Sequence, residues 1–203
     1  MIRVSCLIDG FNLYHSLHFP KYYHKYKWLD LASFTKKFIG SKDSITGIYY
    51  FTALATWNPN KVRKHKLFIR AQELNGVEVI YGEFRRRDKK CRICNKQYET
   101  FEEKQTDVNI AVKLMELSIK DGYDKAIIFS GDSDLVPVIS SIRNLFSSKR
   151  IGIVIPIGGC AEILKQSADF YMKVKEKHLR TSLLPDTVKI DSGLTISCPP
   201  EWK

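Results

Sequence analysis

The chain has 203 residues and 44% hydrophobic content, enough for one α/β domain with a full core, although two small domains also fit that length. Its 33 Lys and Arg outweigh 22 Asp and Glu, a net charge of +11 that points to a polyanionic partner beyond what solubility requires. Five cysteines, an odd number, argue against a disulfide framework, and no apolar run is long enough to span a bilayer or serve as a signal peptide, so a cytoplasmic protein with no membrane contact is expected.

Residues 2–8 read as a buried strand that ends at Asp9-Gly10-Phe11-Asn12, with a helix starting at Asn12. In the loop that follows, Tyr22, Tyr23, Tyr26 and Trp28 interleave with lysines. Such residues either stack on unpaired bases or cover a sheet edge or subunit contact, which leaves a homodimer open. Residues 29–39 look helical with Leu31, Phe34 and Phe38 inward, and residues 45–54 form a second strand. Asn60 is placed to cap a helix over 61–74 that stops at Asn75-Gly76, and residues 77–84 form a third strand.

Next comes a basic loop, Arg85, Arg86, Arg87, Lys89, Lys90 and Arg92, able to track a phosphate backbone. Within this insert, at about 85–100, Cys91-x-x-Cys94 supplies half of a tetrahedral Zn²⁺ site, the rest to come from His65, Cys160 or a second copy of the chain. Thr106 is expected to cap a helix over 107–120 with Val108, Ala111, Met115 and Ile119 on its inner face. The apolar run 126–129 is a central strand. It leads into Ser130-Gly131-Asp132-Ser133-Asp134, a turn that Gly131 eases and whose Asp134 caps a helix facing inward through Leu135, Val138, Ile139, Ile142 and Leu145. Strands at 150–156 and 170–174 flank a short helix, closing a domain over 1–184, and Pro185, Gly193 and Pro199-Pro200 mark 185–203 as a loosely held tail.

This alternation predicts a doubly wound, mainly parallel sheet with helices on both faces and strand order 3-2-1-4-5. Ligands of such sheets sit at the carboxyl ends of the strands where the order reverses. Asp9, Asp107, Asp132 and Asp134 all belong to that edge. Clustered carboxylates resist ionisation unless a cation meets them, and an all-oxygen set suits Mg²⁺ or Mn²⁺. In a basic protein the matching substrate is a phosphodiester, cleaved by a metal-activated water. Asp9, Asp107 and Asp132 are the expected metal ligands, with Asp134 a further ligand or a cap. Asn12 can position a phosphate or water, Ser130 and Ser133 can meet a metal-bound water, and Lys104 can meet phosphate or offset the acids.

Three segments, Ile8-Asp9-Gly10-Phe11-Asn12-Leu13, Glu103-Lys104-Gln105-Thr106-Asp107-Val108 and Ser130-Gly131-Asp132-Ser133-Asp134-Leu135, closely resemble the motifs of the NYN (LabA-like) family within the PIN-like nuclease group. The resemblance implies a PIN-like fold and a metal-dependent nuclease site acting on RNA, with Asp9, Asn12, Asp107, Asp132 and Asp134 at the acidic and amide positions. Two departures stand out: many members carry Gly where this chain has Gln105, and many carry an acid where it has Lys113. The leading expectation is an endoribonuclease acting on single-stranded RNA, against a non-catalytic RNA-binding module that keeps the acidic pocket. A phosphotransferase or phosphatase with an Asp nucleophile is third, disfavoured because Phe11 stands where its second Asp belongs.

Overall fold

The structure, a computed structural model, describes residues 1–190 and 193–202. Its elements in order are β1 (Arg3–Asp9), α1 (Gly10–His18), a 3₁₀ turn (Lys21–Tyr26), α2 (Leu31–Thr35), β2 (Ser44–Thr52) and α3 (Pro59–Leu74). Then come β3 (Glu78–Tyr81), β4 (Glu83–Lys90), β5 (Gln97–Lys104), α4 (Thr106–Ile119), β6 (Lys125–Phe129) and α5 (Val136–Leu145). The last are β7 (Arg150–Ile155), α6 (Glu162–Ser167), β8 (Phe170–Lys173), α7 (Glu176–Arg180), β9 (Thr187–Lys189) and β10 (Thr195–Ser197).

A six-stranded sheet of order β3-β2-β1-β6-β7-β8, parallel throughout, divides the molecule. The predicted order is observed, with the short last strand added at the edge. Strand alternation sends successive side chains to opposite faces. Val4, Cys6 and Ile8 of β1 join Leu13, Phe34 and Phe68 in one core layer, while Leu7 joins Ile110, Leu114 and Ile139 in the other. Each large apolar side chain so buried contributes about 1.5–3 kcal/mol. A buried Gln72 ties the layer under α2 to the chain before it, accepting from the Leu31 N–H and donating to the Leu29 carbonyl, both at 2.9 Å.

Local signals act where their chemistry is strongest. Asp30 caps α2 through the Ala32 and Ser33 N–H groups at 3.0 and 3.1 Å. Asn58, two residues before the expected Asn60, caps α3 at the Lys61 N–H ahead of Pro59 in its first turn. Gly76 ends that region at φ +78°, a conformation a side chain resists.

Several expectations are corrected. The basic stretch after β3 is no loop: β4 and β5 pair antiparallel over Glu83–Lys104, with the Cys91–Cys94 segment as the turn. Tyr26 and Trp28 are core residues, each 3% exposed, and the Trp28 indole N–H donates to the Pro185 carbonyl at 2.9 Å. In α4 the buried stripe is Thr106, Ile110, Leu114 and Ser118, whereas Val108 and Ile119 are exposed. Leu145 of α5 is exposed as well.

The segment after Leu184 was expected to be loose, yet β9 and β10 form a hairpin and Ile196, Cys198 and Trp202 pack on the core beside Trp28 and Phe68. Among its prolines, β10 packs against α3 and the segment around Trp202 packs against the 3₁₀ turn. Residues 191, 192 and 203 of that expectation lie outside the described residues.

Candidate active site

β1 and β6 are neighbours, so their carboxyl ends deliver Asp9 and Ser130 side by side. Asp9 is 2% exposed and accepts three hydrogen bonds: from the Asn12 N–H at 3.0 Å, the Asn12 side-chain amide at 2.8 Å and the Ser130 hydroxyl at 2.8 Å. Asn12 turns its amide oxygen to the Gly131 N–H at 3.1 Å, and Ser130 Oγ accepts from the Asp132 N–H at 3.0 Å. The opening turn of α1 is thereby locked to the turn after β6. Burial pushes the Asp9 carboxyl up, the three donors pull it back, and Asp132 adds repulsion. Gly10 is required beside it, since a Cβ there would meet the Phe51 carbonyl oxygen at 2.5 Å.

Asp132, not Asp134, is the capping residue: its carboxylate accepts from the Asp134 N–H at 2.9 Å. Asp134 is thereby left exposed, its carboxylate free of hydrogen bonds among the described residues. Gly131 does not use left-handed backbone, contrary to expectation, and an added Cβ would have only Asn12 Oδ1 at 3.4 Å as a close neighbour.

The third acid arrives from the hairpin side. Gln105 occupies the N-cap of α4 at φ +76°, which explains why glycine is favoured at this position. Thr106, expected as the cap, instead donates its N–H to Glu103 at 3.0 Å and its hydroxyl to the same carboxylate. Asp107 in the first turn is half-buried, with no hydrogen-bond partner among the described residues. Burial, then the charges of Asp132, Asp9, Glu103 and Asp134, push its carboxyl up to about 6.

All four acids therefore share one edge, where Asp107 lies within the field of the other three. Among the described residues no three His, Cys, Asp or Glu side chains converge closely enough to ligate one ion as placed. The donor set nonetheless fits Mg²⁺ or Mn²⁺, which bind through one or two carboxylates plus water and substrate oxygens. Asp107 and Asp132 have oxygens to spare, and their repulsion is what a cation relieves.

Other expected residues lie elsewhere. Ser130 is wholly buried and donates to Asp9, which places it to position that carboxylate, while Ser133 is exposed. Lys104 pairs with Glu102 at 3.5 Å and leaves the acids alone. Of the basic run, Arg85 meets Glu83, Arg86 meets Glu99 and Asp88, and Arg87 and Lys89 meet Glu102, while Lys90 is exposed. Lys113 pairs with Glu78 at 2.8 Å over the Tyr49 ring, away from the notch. Asp169 lies at the opposite edge, accepting from the Ile151 N–H at 2.7 Å.

At the hairpin turn, backbone N–H groups of Ile93 and Cys94 hold the Cys91 thiol below its ordinary range. Neither expected partner completes a zinc set. His65 is partly buried, 3.2 Å from the Thr52 hydroxyl, its imidazole pushed down to about 4 by desolvation, and Cys160 sits by Glu162.

Sequence reasoning missed His15, one turn along α1 from Asn12 and within the field of Asp9. It also missed an apolar cavity of about 650 Å³ beside the notch, walled by Phe11, Trp57, Phe84 and Phe101. His15 carried a usable signal, its i, i+3 spacing from Asn12, but the cavity draws its walls from four separate segments.

The parallel α/β sheet with an acid-lined carboxyl edge defines a fold of the PIN-like nuclease group. The NYN domain family model matches residues 3–179, and the chain belongs to that family, whose membership points to nuclease-type chemistry. A curated relative, 6-hydroxy-3-succinoylpyridine 3-monooxygenase HspA of Pseudomonas putida, is 28% identical over 193 residues, a match covering 78% of this chain. The match spans about three fifths of that relative's length, 61%. A crystal structure of a protein of unknown function from Vibrio parahaemolyticus superposes with a TM-score of 0.60 at 17% identity, covering 90% of this chain and 96% of that one, and shares the fold. No helix among the described residues is long and apolar enough to cross a membrane.

Proposed function

We propose that this chain is a divalent-metal-dependent endoribonuclease acting on single-stranded RNA. The observation that carries the reading is the gathering of Asp107, Asp132 and Asp9 at one sheet edge, where burial and the neighbouring acids push the Asp107 carboxyl up and no lysine or arginine among the described residues pairs with them. Mg²⁺ or Mn²⁺, when bound, would supply a lowered water pKa and charge relief on the phosphodiester oxygens. Asp107 and Asp132 would hold the ion with their spare oxygens, Asp134 adding a water-mediated contact. Asp9, fixed by Asn12 and Ser130, orients the floor of the notch and keeps its negative field in place. His15, within the field of Asp9, would be the residue to exchange a proton with a group at that floor.

The test compares cleavage of a labelled single-stranded RNA with Mn²⁺ or Mg²⁺ by the wild type and by Asp107→Asn and Asp132→Asn. Asn keeps the cap at position 132 while removing the charge. Asp9→Asn is avoided, because its amide N–H would face two donors. Metal-dependent cleavage absent from both variants supports the enzyme. Equal RNA binding by all three proteins with no cleavage by any of them supports a binding module. For Cys91 and Cys94, we propose half of a structural Zn²⁺ site whose remaining ligands lie outside this chain, checked by zinc content of Cys94→Ser protein.

A second reading, oxygenation of a heteroaromatic compound by O₂ with two electrons from an external donor such as a reduced nicotinamide, one oxygen leaving as water, is favoured by the monooxygenase-named relative together with the apolar cavity. Turnover of a succinoyl-substituted hydroxypyridine, with no RNA cleavage, would install it instead.

A further inference from the structure

The cavity beside the notch lies between α1, the start of α3 and the root of the β4–β5 hairpin. Its walls are aromatic: Trp57 stacks on Phe101 at 3.8 Å between centroids and 6° between planes, and Phe84 sets its edge to Trp57 at 4.7 Å and to Phe11 at 5.3 Å. Trp57 remains 38% exposed, leaving ring surface on which a further planar ring can stack.

The rim is cationic. Lys27, Lys61, Lys64, His18 and His24 gather there, and Glu201 answers Lys64 at 3.2 Å. Among the described residues neither Lys27 nor Lys61 is in an ion pair; Lys27 instead meets His18 Nδ1 at 2.9 Å. Burial, then Lys64, lowers the Lys27 ammonium, and burial, then Lys27, lowers the His18 imidazole. Unlike the hairpin, where carboxylates answer most of the basic side chains, this rim has positive charge in excess of its own acids.

The cavity also adjoins the segments that carry the acids. Gly10 and Phe11 line it directly after Asp9, and Glu103 lines it while holding the first turn of α4 ahead of Asp107. A strand with one phosphate at the notch would carry its neighbouring base toward these rings and its next phosphate toward the lysines.

We propose that this cavity is a nucleotide subsite, taking one unpaired nucleobase against Trp57 and the adjoining phosphate on Lys27 and Lys61. The proposal rests on the reading of the chain as an RNA nuclease and names where the substrate's flanking nucleotide goes.

The test measures affinity for a fluorescent uridine pentanucleotide, without added metal, in the full chain and in Trp57→Ala, Trp57→Phe and Lys61→Ala, alongside Mn²⁺-dependent cleavage. Trp57→Ala should weaken binding about tenfold, with Trp57→Phe near wild type. Lys61→Ala should lower the slope of log affinity against log salt by about 1. Melting curves show whether each variant is folded, and Lys61→Ala together with Trp57→Phe decides the matter if Trp57→Ala is not. Affinity and salt slope unchanged in the folded variants would overturn the subsite, while cleavage by the wild type would leave the nuclease reading standing. A succinoyl-substituted hydroxypyridine that quenches tryptophan fluorescence and is not displaced by the oligonucleotide would also overturn it, making the cavity a site for a free aromatic acid. Absence of both RNA binding and cleavage in the wild type would overturn both proposals.

Discussion

At the amino edge of the sheet, Asp43, Asp121, Asp124 and Asp169 each meet cations: Lys125, Arg3 with Lys149, Arg3, and Arg143 with Arg150. At the carboxyl edge, on top of burial, Asp132, Asp9 and Asp134 raise the Asp107 carboxyl and Asp132 raises that of Asp9, with no cation paired to any of the four among the described residues. The contrast appears in the carboxyls themselves, since Arg3 draws Asp124 down to about 2 whereas burial and neighbouring acids push Asp107 up to about 6. One edge spends its acids on closing the fold, while the other holds Asp9 and Asp132 by hydrogen bonds alone and gives none of its four acids an ion-pairing cation among the described residues. Acids gathered without a cation at a sheet edge mark a candidate ligand site.

Breaking that asymmetry should have its largest effect on catalysis. Asp107→Asn or Asp132→Asn should cut metal-dependent RNA cleavage by at least roughly a hundredfold, while Asp169→Asn at the opposite edge should leave the rate within about twofold of wild type. Initial rates at saturating Mn²⁺ check this.

His65, which lines the cavity beside Thr52 and Tyr50, gives the next effect. Its folded pKa of about 4 lies below the ordinary value, so the unfolded chain binds a proton first. Stability is therefore complete above the ordinary imidazole range and lost as pH falls toward about 4, by up to about 3 kcal/mol. Denaturant melts at pH 7 and pH 4.5 should show that loss, and His65→Gln should remove it.

A smaller and opposite pair sharpens the comparison of edges. Asp107→Asn should raise the melting temperature by removing repulsion, whereas Asp124→Asn should lower it by releasing Arg3. The Asp124 contribution is present above the usual carboxylate range and is lost as pH falls through about 2, so the Asp124→Asn difference should vanish in strong acid. Thermal melts of both variants at neutral pH, repeated for Asp124→Asn near pH 2, measure it.

The smallest expected change is at the hinge into α4. Gln105→Gly should stabilise the chain by about 1 kcal/mol, since a residue with a Cβ now holds left-handed backbone there. A denaturant midpoint shifted upward with unchanged slope would bear it out.

The fold was readable because buried parallel strands announce themselves as short apolar runs, as Ala126-Ile127-Ile128-Phe129 does, and because right-handed crossovers leave few topologies. The acidic edge followed from strand direction alone. The hairpin was not readable, because β4 has no apolar alternation: cross-strand ion pairs such as Arg86–Glu99 and Lys89–Glu102 hold it, and basic residues in sequence look the same whether free or answered. Net charge likewise pointed to Arg85, Arg86 and Arg87, which carboxylates answer, whereas at the cavity rim Lys27 and Lys61, far apart in the chain, have no ion pair among the described residues. The cap at Asp132 was misplaced by two residues because Asp132 and Asp134 are chemically equivalent until the turn geometry selects one.

The most direct test of the shared acidic notch is Mn²⁺ binding followed by electron paramagnetic resonance in the wild type, Asp107→Asn and Asp132→Asn. Saturable binding in the wild type that weakens together in both variants is expected, because one ion draws on both carboxylates. Binding unaltered by Asp107→Asn, or no binding by the wild type, would contradict a cation site shared between α4 and the turn after β6.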